Sequence, residues 1–150
     1  MPFTVKYFRT ESEDGRNCIL CDEVPYYTEI RGFLEVVYLQ AGCTSDGGSI
    51  ASILWSLPGY QPFGPLWKWY FAHDAFYRGL MLDKDRKPAL WERDICDKVL
   101  LEGAANTAAD SFHRLTIYNA VRALGQSAFD KDRAEYFERQ SALAAGNGSV

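Results

Sequence analysis

"FAHDAFYRGLMLD", residues 71–83, decides how the rest of the chain is read. It places one of two histidines beside an aspartate, inside an apolar and aromatic run. Helical spacing starts at Leu66. At 3.6 residues per turn, Leu66, Trp69, Tyr70, His73, Tyr77 and Leu80 fall on one face. His73 and Tyr77 then stack one turn apart. Asp74 points about 100° away from His73, so the two neighbours suit separate tasks.

On the N-terminal side the pattern changes. Residues 1–45 read as strands and turns: "FTVKYF" alternates, "SEDGRN" is turn chemistry, and "YYTEIRGFLEVVYLQAG" is β-branched and aromatic with a break at Gly32. "AGCTSDGGSI", residues 41–50, is a glycine-rich loop. "SIASILWSL" suggests a short helix, stopped by the loop "PGYQPFGP". On the C-terminal side a second helix is expected from Pro88 to Asn106, with Pro88 in its first turn. A third is "AADSFHRLTIYNAVRALG", stopped by Gly125, and a fourth is "DKDRAEYFERQSALAA". The expectation is one α+β domain over 1–145. It has a small N-terminal antiparallel sheet, a helical body over 66–145 with an antiparallel helix pair, and a disordered tail at 146–150.

Composition narrows the function. The chain has 150 residues, 47% hydrophobic and 15% aromatic, enough for a core without disulfides or metals to hold it. A net charge of −4 with no dominant basic patch argues against nucleic acid as a partner. Cys18, Cys21, Cys43 and Cys96 are too few and scattered for a disulfide scaffold. The Cys18/Cys21 pair lacks two further zinc ligands, so reduced thiols are expected. No signal core and no membrane-length apolar run are present, which suggests a cytoplasmic product without a transmembrane segment.

Three features carry chemistry. His73 has the properties of a general base. Asp97 lies on the second helix among Leu90, Leu101 and Ala104, and a buried carboxylate needs a partner. An imidazole on the neighbouring helix would serve, since the carboxylate orients the ring and stabilises its charged form. Gly42, Gly47 and Gly48 allow backbone carbonyls to approach a ligand, and Asp46 adds a carboxylate, a combination suited to calcium. Singly, each has a plainer explanation. A lone histidine among aromatics is more often a hydrogen-bonded core residue. Asp46 fits a turn or helix cap. Asp97 could be half exposed.

The combination resembles the core of secreted phospholipase A₂. The matching stretches are "AGCTSDGGS", "HDAFYR" and "ICDK", between about residues 41 and 100, and Arg78 and "QPFG" are similar to the bacterial branch. The resemblance implies a calcium-dependent carboxylic ester hydrolase acting on a phospholipid or other ester. His73 would be the base, oriented by Asp97, with Tyr77 bracing the carboxylate. Asp74 and carbonyls near Gly42, Gly47 and Gly48 would hold calcium, with Asp46 as an added ligand. The chain departs from that family in lacking its dense disulfides and its N-terminal docking helix.

Nearly the whole chain also resembles a phage and prophage family of the domain-of-unknown-function series. The segments that carry this are "GCTSDGGSIAS", "HDAFY", "RDICD" and "IYNAVRALG", with Ala51 where the family has proline. This resemblance implies a protein of the infected or lysogenic bacterium's cytoplasm, or of the virion. Its alternative function is a structural, assembly or host-interaction protein whose partner is a phage or host protein, with the His–Asp helix pair kept as a scaffold. A metal-dependent His–Asp phosphohydrolase is disfavoured, because the other histidine, His113, lies downstream. A serine hydrolase is disfavoured by the absence of G-x-S-x-G.

Overall fold

A computed structural model describes residues 2–3, 8–15, 17–45, 66–107 and 111–147. The short helix and loop expected within 49–65 lie outside the described residues, as do Asp46, Gly47 and Gly48. The architecture is α+β: among the described residues there are two small antiparallel sheets and four helices.

The first sheet joins β1 (Thr10–Glu11), β2 (Cys18–Leu20) and β5 (Thr44–Ser45) in the order β1-β2-β5. The second joins β3 (Val24–Thr28), β4 (Glu35–Leu39) and β6 (Met81–Leu82) in the order β3-β4-β6. Along β3 the period-two pattern is satisfied, with Val24, Tyr26 and Thr28 buried and Pro25 and Tyr27 more open. β3 and β4 pair Tyr26 with Val37. The break expected at Gly32 is the turn between them: φ is +89°, and the Gly32 amide donates to the Glu29 carbonyl at 2.8 Å. The expected strand at 3–8 is described only at its ends, where Phe3 bridges Tyr26.

α1 (Trp67–Tyr77) is the centre of the molecule. The one-face expectation needs correction, because Trp69, Tyr70, Phe71, Ala72, His73, Ala75, Phe76 and Tyr77 are all buried. A helix enclosed on most sides shows no single apolar stripe. Lys68 and Asp74 are its partly open polar positions.

α2 is Arg93–Asn106, so the expected start at Pro88 is five residues early. Pro88 instead bridges Leu82 in a tight return of the chain. That return is held by Asp83, whose Oδ1 accepts from the Asp85 and Lys87 amides at 2.9 Å each. Arg86 sits at φ +63° within it. Proline suits both a helix first turn and a strand edge, and here the Asp83 turn selects the edge.

α1 and α2 run antiparallel. Trp69 near the start of α1 touches Gly103 near the end of α2, while Phe76 at the other end stacks on Trp91 at 4.3 Å. A Cβ on Gly103 would lie 2.3 Å from Trp69 Cγ, so glycine sets this close approach. Glu102, one residue earlier, accepts hydrogen bonds from the Tyr26 hydroxyl and from Thr28 Oγ1, tying α2 to β3.

α3 (Ser111–Leu124) and α4 (Gln126–Asn147) complete the body. Gly125 separates them as expected, without a positive φ. α4 begins before Asp130 and continues through Gly146 and Asn147, which the sequence pattern assigned to a tail. Arginines cover the helix C-termini, where unpaired carbonyls and the dipole favour cations. Arg133 donates to the Phe76 carbonyl in the last turn of α1 at 3.0 Å, and also to the Trp91 carbonyl just before α2 at 2.8 Å. Arg93 donates to Val121 at 2.9 Å. No helix of the described residues is long and apolar enough to cross a membrane.

Candidate functional site

The site forms where α1, α2, α3 and β5 meet. His73, from the middle of α1, is 3% exposed, and Asp97, from the second turn of α2, is 0% exposed. His73 Nε2 lies 3.1 Å from Asp97 Oδ1. The Tyr77 hydroxyl donates to the same oxygen. The Tyr77 ring packs on the imidazole with centroids 4.2 Å apart. The other carboxylate oxygen, Oδ2, accepts from Arg122 Nη1 at 2.9 Å, with Arg93 Nε at 3.5 Å. Asp97 is therefore fully buried and anchors the network, not half exposed at the rim.

This arrangement assigns the imidazole. A carboxylate only accepts, so the proton belongs on Nε2. Nδ1 then faces Asp74 Oδ1 at 3.6 Å. Asp74 is held from its other side, where Ser45 Oγ donates to Oδ2 at 2.6 Å. Arg78, one turn beyond Asp74, donates to the Thr44 carbonyl at 2.7 Å and to Thr44 Oγ1 at 2.8 Å. Both contacts seat β5 against α1. Arg78 Nε also approaches Asp132 of α4 at 3.8 Å.

The electrostatics follow from this geometry. Burial, the largest single influence, pushes His73 toward neutrality; the hydrogen bonds to Asp74 and Asp97 outweigh it and raise its pKa above the usual histidine value. Burial likewise opposes the Asp97 charge, but donors from His73, Tyr77 and Arg122 hold its pKa below the usual carboxylate value. Tyr77 is pushed well above the normal phenol range by burial and then by Asp97.

The expected residues are placed as follows. His73, Asp97, Tyr77 and Asp74 come together. Gly42 lies in the turn before β5 at φ +85°, its amide donating to the Leu20 carbonyl at 2.7 Å. Asp46, Gly47 and Gly48 lie outside the described residues. Among the described residues, no three His, Cys, Asp or Glu side chains converge as a metal cluster. Arg78 already occupies the Thr44 carbonyl, and Ser45 occupies one oxygen of Asp74. The described part of the site does not by itself fit calcium.

Arg93, Arg122 and Ser45 were not anticipated as site residues. A signal existed for Arg93, four residues before Asp97 on one helix face. Arg122 carried no such signal, since its partner is 25 residues away. All three lie in the stretches on which the expected phage-family resemblance rests. "HDAFY" supplies His73, Asp74 and Tyr77; "RDICD" supplies Arg93 and Asp97; "IYNAVRALG" supplies Arg122; and "GCTSDGGSIAS" supplies Ser45. Four separated segments thus meet in one polar network within an otherwise apolar core.

Together these define an α+β protein with a buried His–Asp pair braced by tyrosine and arginine. Family models, curated proteins and solved structures were compared with the chain, and none of the three comparisons finds a match.

Proposed function

We propose that the chain is a carboxylic ester hydrolase of phospholipid type, with His73 as its general base. One observation carries this reading: Nε2 is tied to Asp97 Oδ1, which holds the ring with Nδ1 on the Asp74 side, and Nδ1 is a proton acceptor once the ring is neutral. In the reaction, Nδ1 takes a proton from water as the water oxygen attacks the ester carbonyl carbon. The imidazolium so formed is stabilised by Asp97. It then returns the proton to the departing alkoxide as the tetrahedral intermediate collapses to acid and alcohol. Tyr77 braces Asp97 and does not transfer the proton.

Calcium is proposed on the phospholipase A₂ resemblance alone, with Asp74 as its described carboxylate. The phage or prophage setting is likewise proposed on resemblance, with host phospholipid or another ester as substrate. It would act in the cytoplasm of the bacterium or from the virion. The test is hydrolysis of phospholipid and short ester substrates with and without calcium, for wild type, His73→Ala and Asp74→Asn. Loss of the general base is expected to lower kcat about 100-fold or more. Activity unchanged in His73→Ala sinks the reading. Calorimetric calcium binding in wild type but not Asp74→Asn supports the metal, and no binding up to millimolar calcium removes it.

A second reading is favoured by one observation. His73 is 3% exposed, and both oxygens of Asp97 are already bonded within the protein. In that reading the network is a clamp in a non-catalytic phage structural, assembly or host-interaction protein. Lost stability in His73→Ala, with no hydrolysis by wild type and no calcium effect, supports it.

A further inference from the structure

We infer that Arg122 is a positioning residue for the His73–Asp97 pair, reaching in from α3 to fix the rotation of the Asp97 carboxylate. The inference rests on reading that pair as the working dyad of the site.

The Asp97 oxygens are divided between two sets of partners. Oδ1 receives Tyr77 and His73, while Oδ2 receives Arg122 Nη1 at 2.9 Å. Arg93 stands near Oδ2 at 3.5 Å, but its guanidinium is committed elsewhere. Its two terminal nitrogens donate to Gln126 Oε1 at 2.7 Å and to the carbonyls of Val121 and Arg122 at the end of α3. Its Nε makes no hydrogen bond. Among the described residues, Arg122 therefore supplies the one well-formed hydrogen bond to Oδ2.

The last torsion of an aspartate is soft, so a carboxylate bonded through one oxygen swings readily. Bonded at both oxygens it does not. Arg122 thereby keeps Oδ1 facing Nε2, keeps the ring proton on Nε2, and leaves Nδ1 directed at Asp74. Its side chain is 36% exposed while Asp97 is 0% exposed, so an approachable group sets the orientation of a buried one.

The test uses protein labelled with ¹⁵N-histidine. With two histidines in the chain, His113→Gln assigns the ring signals. Wild type is expected to show His73 protonated on Nε2, with that proton exchanging slowly with water. In Arg122→Gln at the same pH, exchange is expected to speed up about tenfold or more as the carboxylate loosens. Arg122→Lys keeps a charged donor and is expected to stay closer to wild type. A folded Arg122→Gln with wild-type exchange and shift overturns the inference, as does wild-type His73 protonated on Nδ1 alone. If both variants fail to fold, Arg122 holds the fold rather than the dyad, and the inference is overturned as well. Failure of the hydrolytic reading is seen separately, in the activity of His73→Ala, and leaves the ring signature in place.

Discussion

Asp97→Asn is the substitution that most directly probes the network. The carboxylate is 0% exposed and faces His73, Tyr77, Arg93 and Arg122. Asparagine keeps one acceptor but turns an amide donor toward a guanidinium. Removing one partner of a buried pair costs about 3–5 kcal/mol, chiefly by stranding the remaining charge. The two arginines share that cost unequally. Arg122, 36% exposed, can turn into water; Arg93, 11% exposed and fastened to the end of α3, cannot. A loss of about 3 kcal/mol is therefore expected, a large part of a typical domain's 5–15 kcal/mol. The pH dependence has a definite sign. The folded pKa of Asp97 is lowered, so its stabilisation is present above its unfolded value of about 3.9 and is lost as pH falls through the folded value. The folded pKa of His73 is raised, so its stabilisation is full below about 6.5 and is lost as pH rises through the folded value. The gap between wild type and Asp97→Asn should thus be wider near pH 5.5 than near pH 8.5. Urea unfolding followed by the fluorescence of the four tryptophans measures it. A variant within about 1 kcal/mol of wild type at both pH values refutes the view that Asp97 anchors the network.

Two further substitutions test the frame around the site. Gly103→Ala places a Cβ 2.3 Å from Trp69 Cγ, so α1 and α2 must separate. Overpacking of about 1–3 kcal/mol outweighs a helix-propensity gain of up to about 1 kcal/mol. A lower urea midpoint is expected, and an unchanged one contradicts the contact. At Glu102, burial first of all raises the pKa, so its charged form burdens the folded state above the folded pKa, and the burden vanishes below the unfolded value. Glu102→Gln should match wild type or exceed it by up to about 1 kcal/mol at pH 7, with the difference closing toward pH 4. A clear loss of stability at pH 7 would show that the charge itself holds α2 to β3.

Much of the fold was legible because its signals are local. The β3–β4 hairpin follows from β-branched and aromatic residues on either side of a glycine at its turn, and the separation of α3 from α4 follows from Gly125. The His73–Asp97 contact was legible for a different reason: a carboxylate within an apolar helix face requires a partner, and the neighbouring helix offers one. What was missed depends on tertiary choices. Pro88 has the same fixed φ in a helix first turn and at a strand edge; only the Asp83 turn beneath it decides. The enclosure of α1 is invisible to periodicity, because periodicity locates a face and α1 has several. Arg122 reads as a charge in the last turn of α3. Its role appears only when α3 is laid against α2.

The two readings of the network can be separated by asking why it is polar at all. Apolar side chains dominate the surrounding core, with Phe71, Phe76, Leu100, Val99 and Ile117 all nearly inaccessible. Buried ion pairs are often no more stabilising than apolar packing of similar volume. Stability alone therefore does not explain why His73, Asp97, Arg93 and Arg122 occupy this junction. A clamp explains them if they enforce one packing of α1, α2 and α3, and an apolar replacement of all four should then fold loosely or into several states. A dyad explains them if the imidazole must gain and lose a proton, and the same replacement should then fold well and do no chemistry. Dispersion of the amide spectrum in that fourfold variant distinguishes these outcomes without any substrate. A well-dispersed spectrum would favour the hydrolytic reading, and a collapsed one would favour the scaffold.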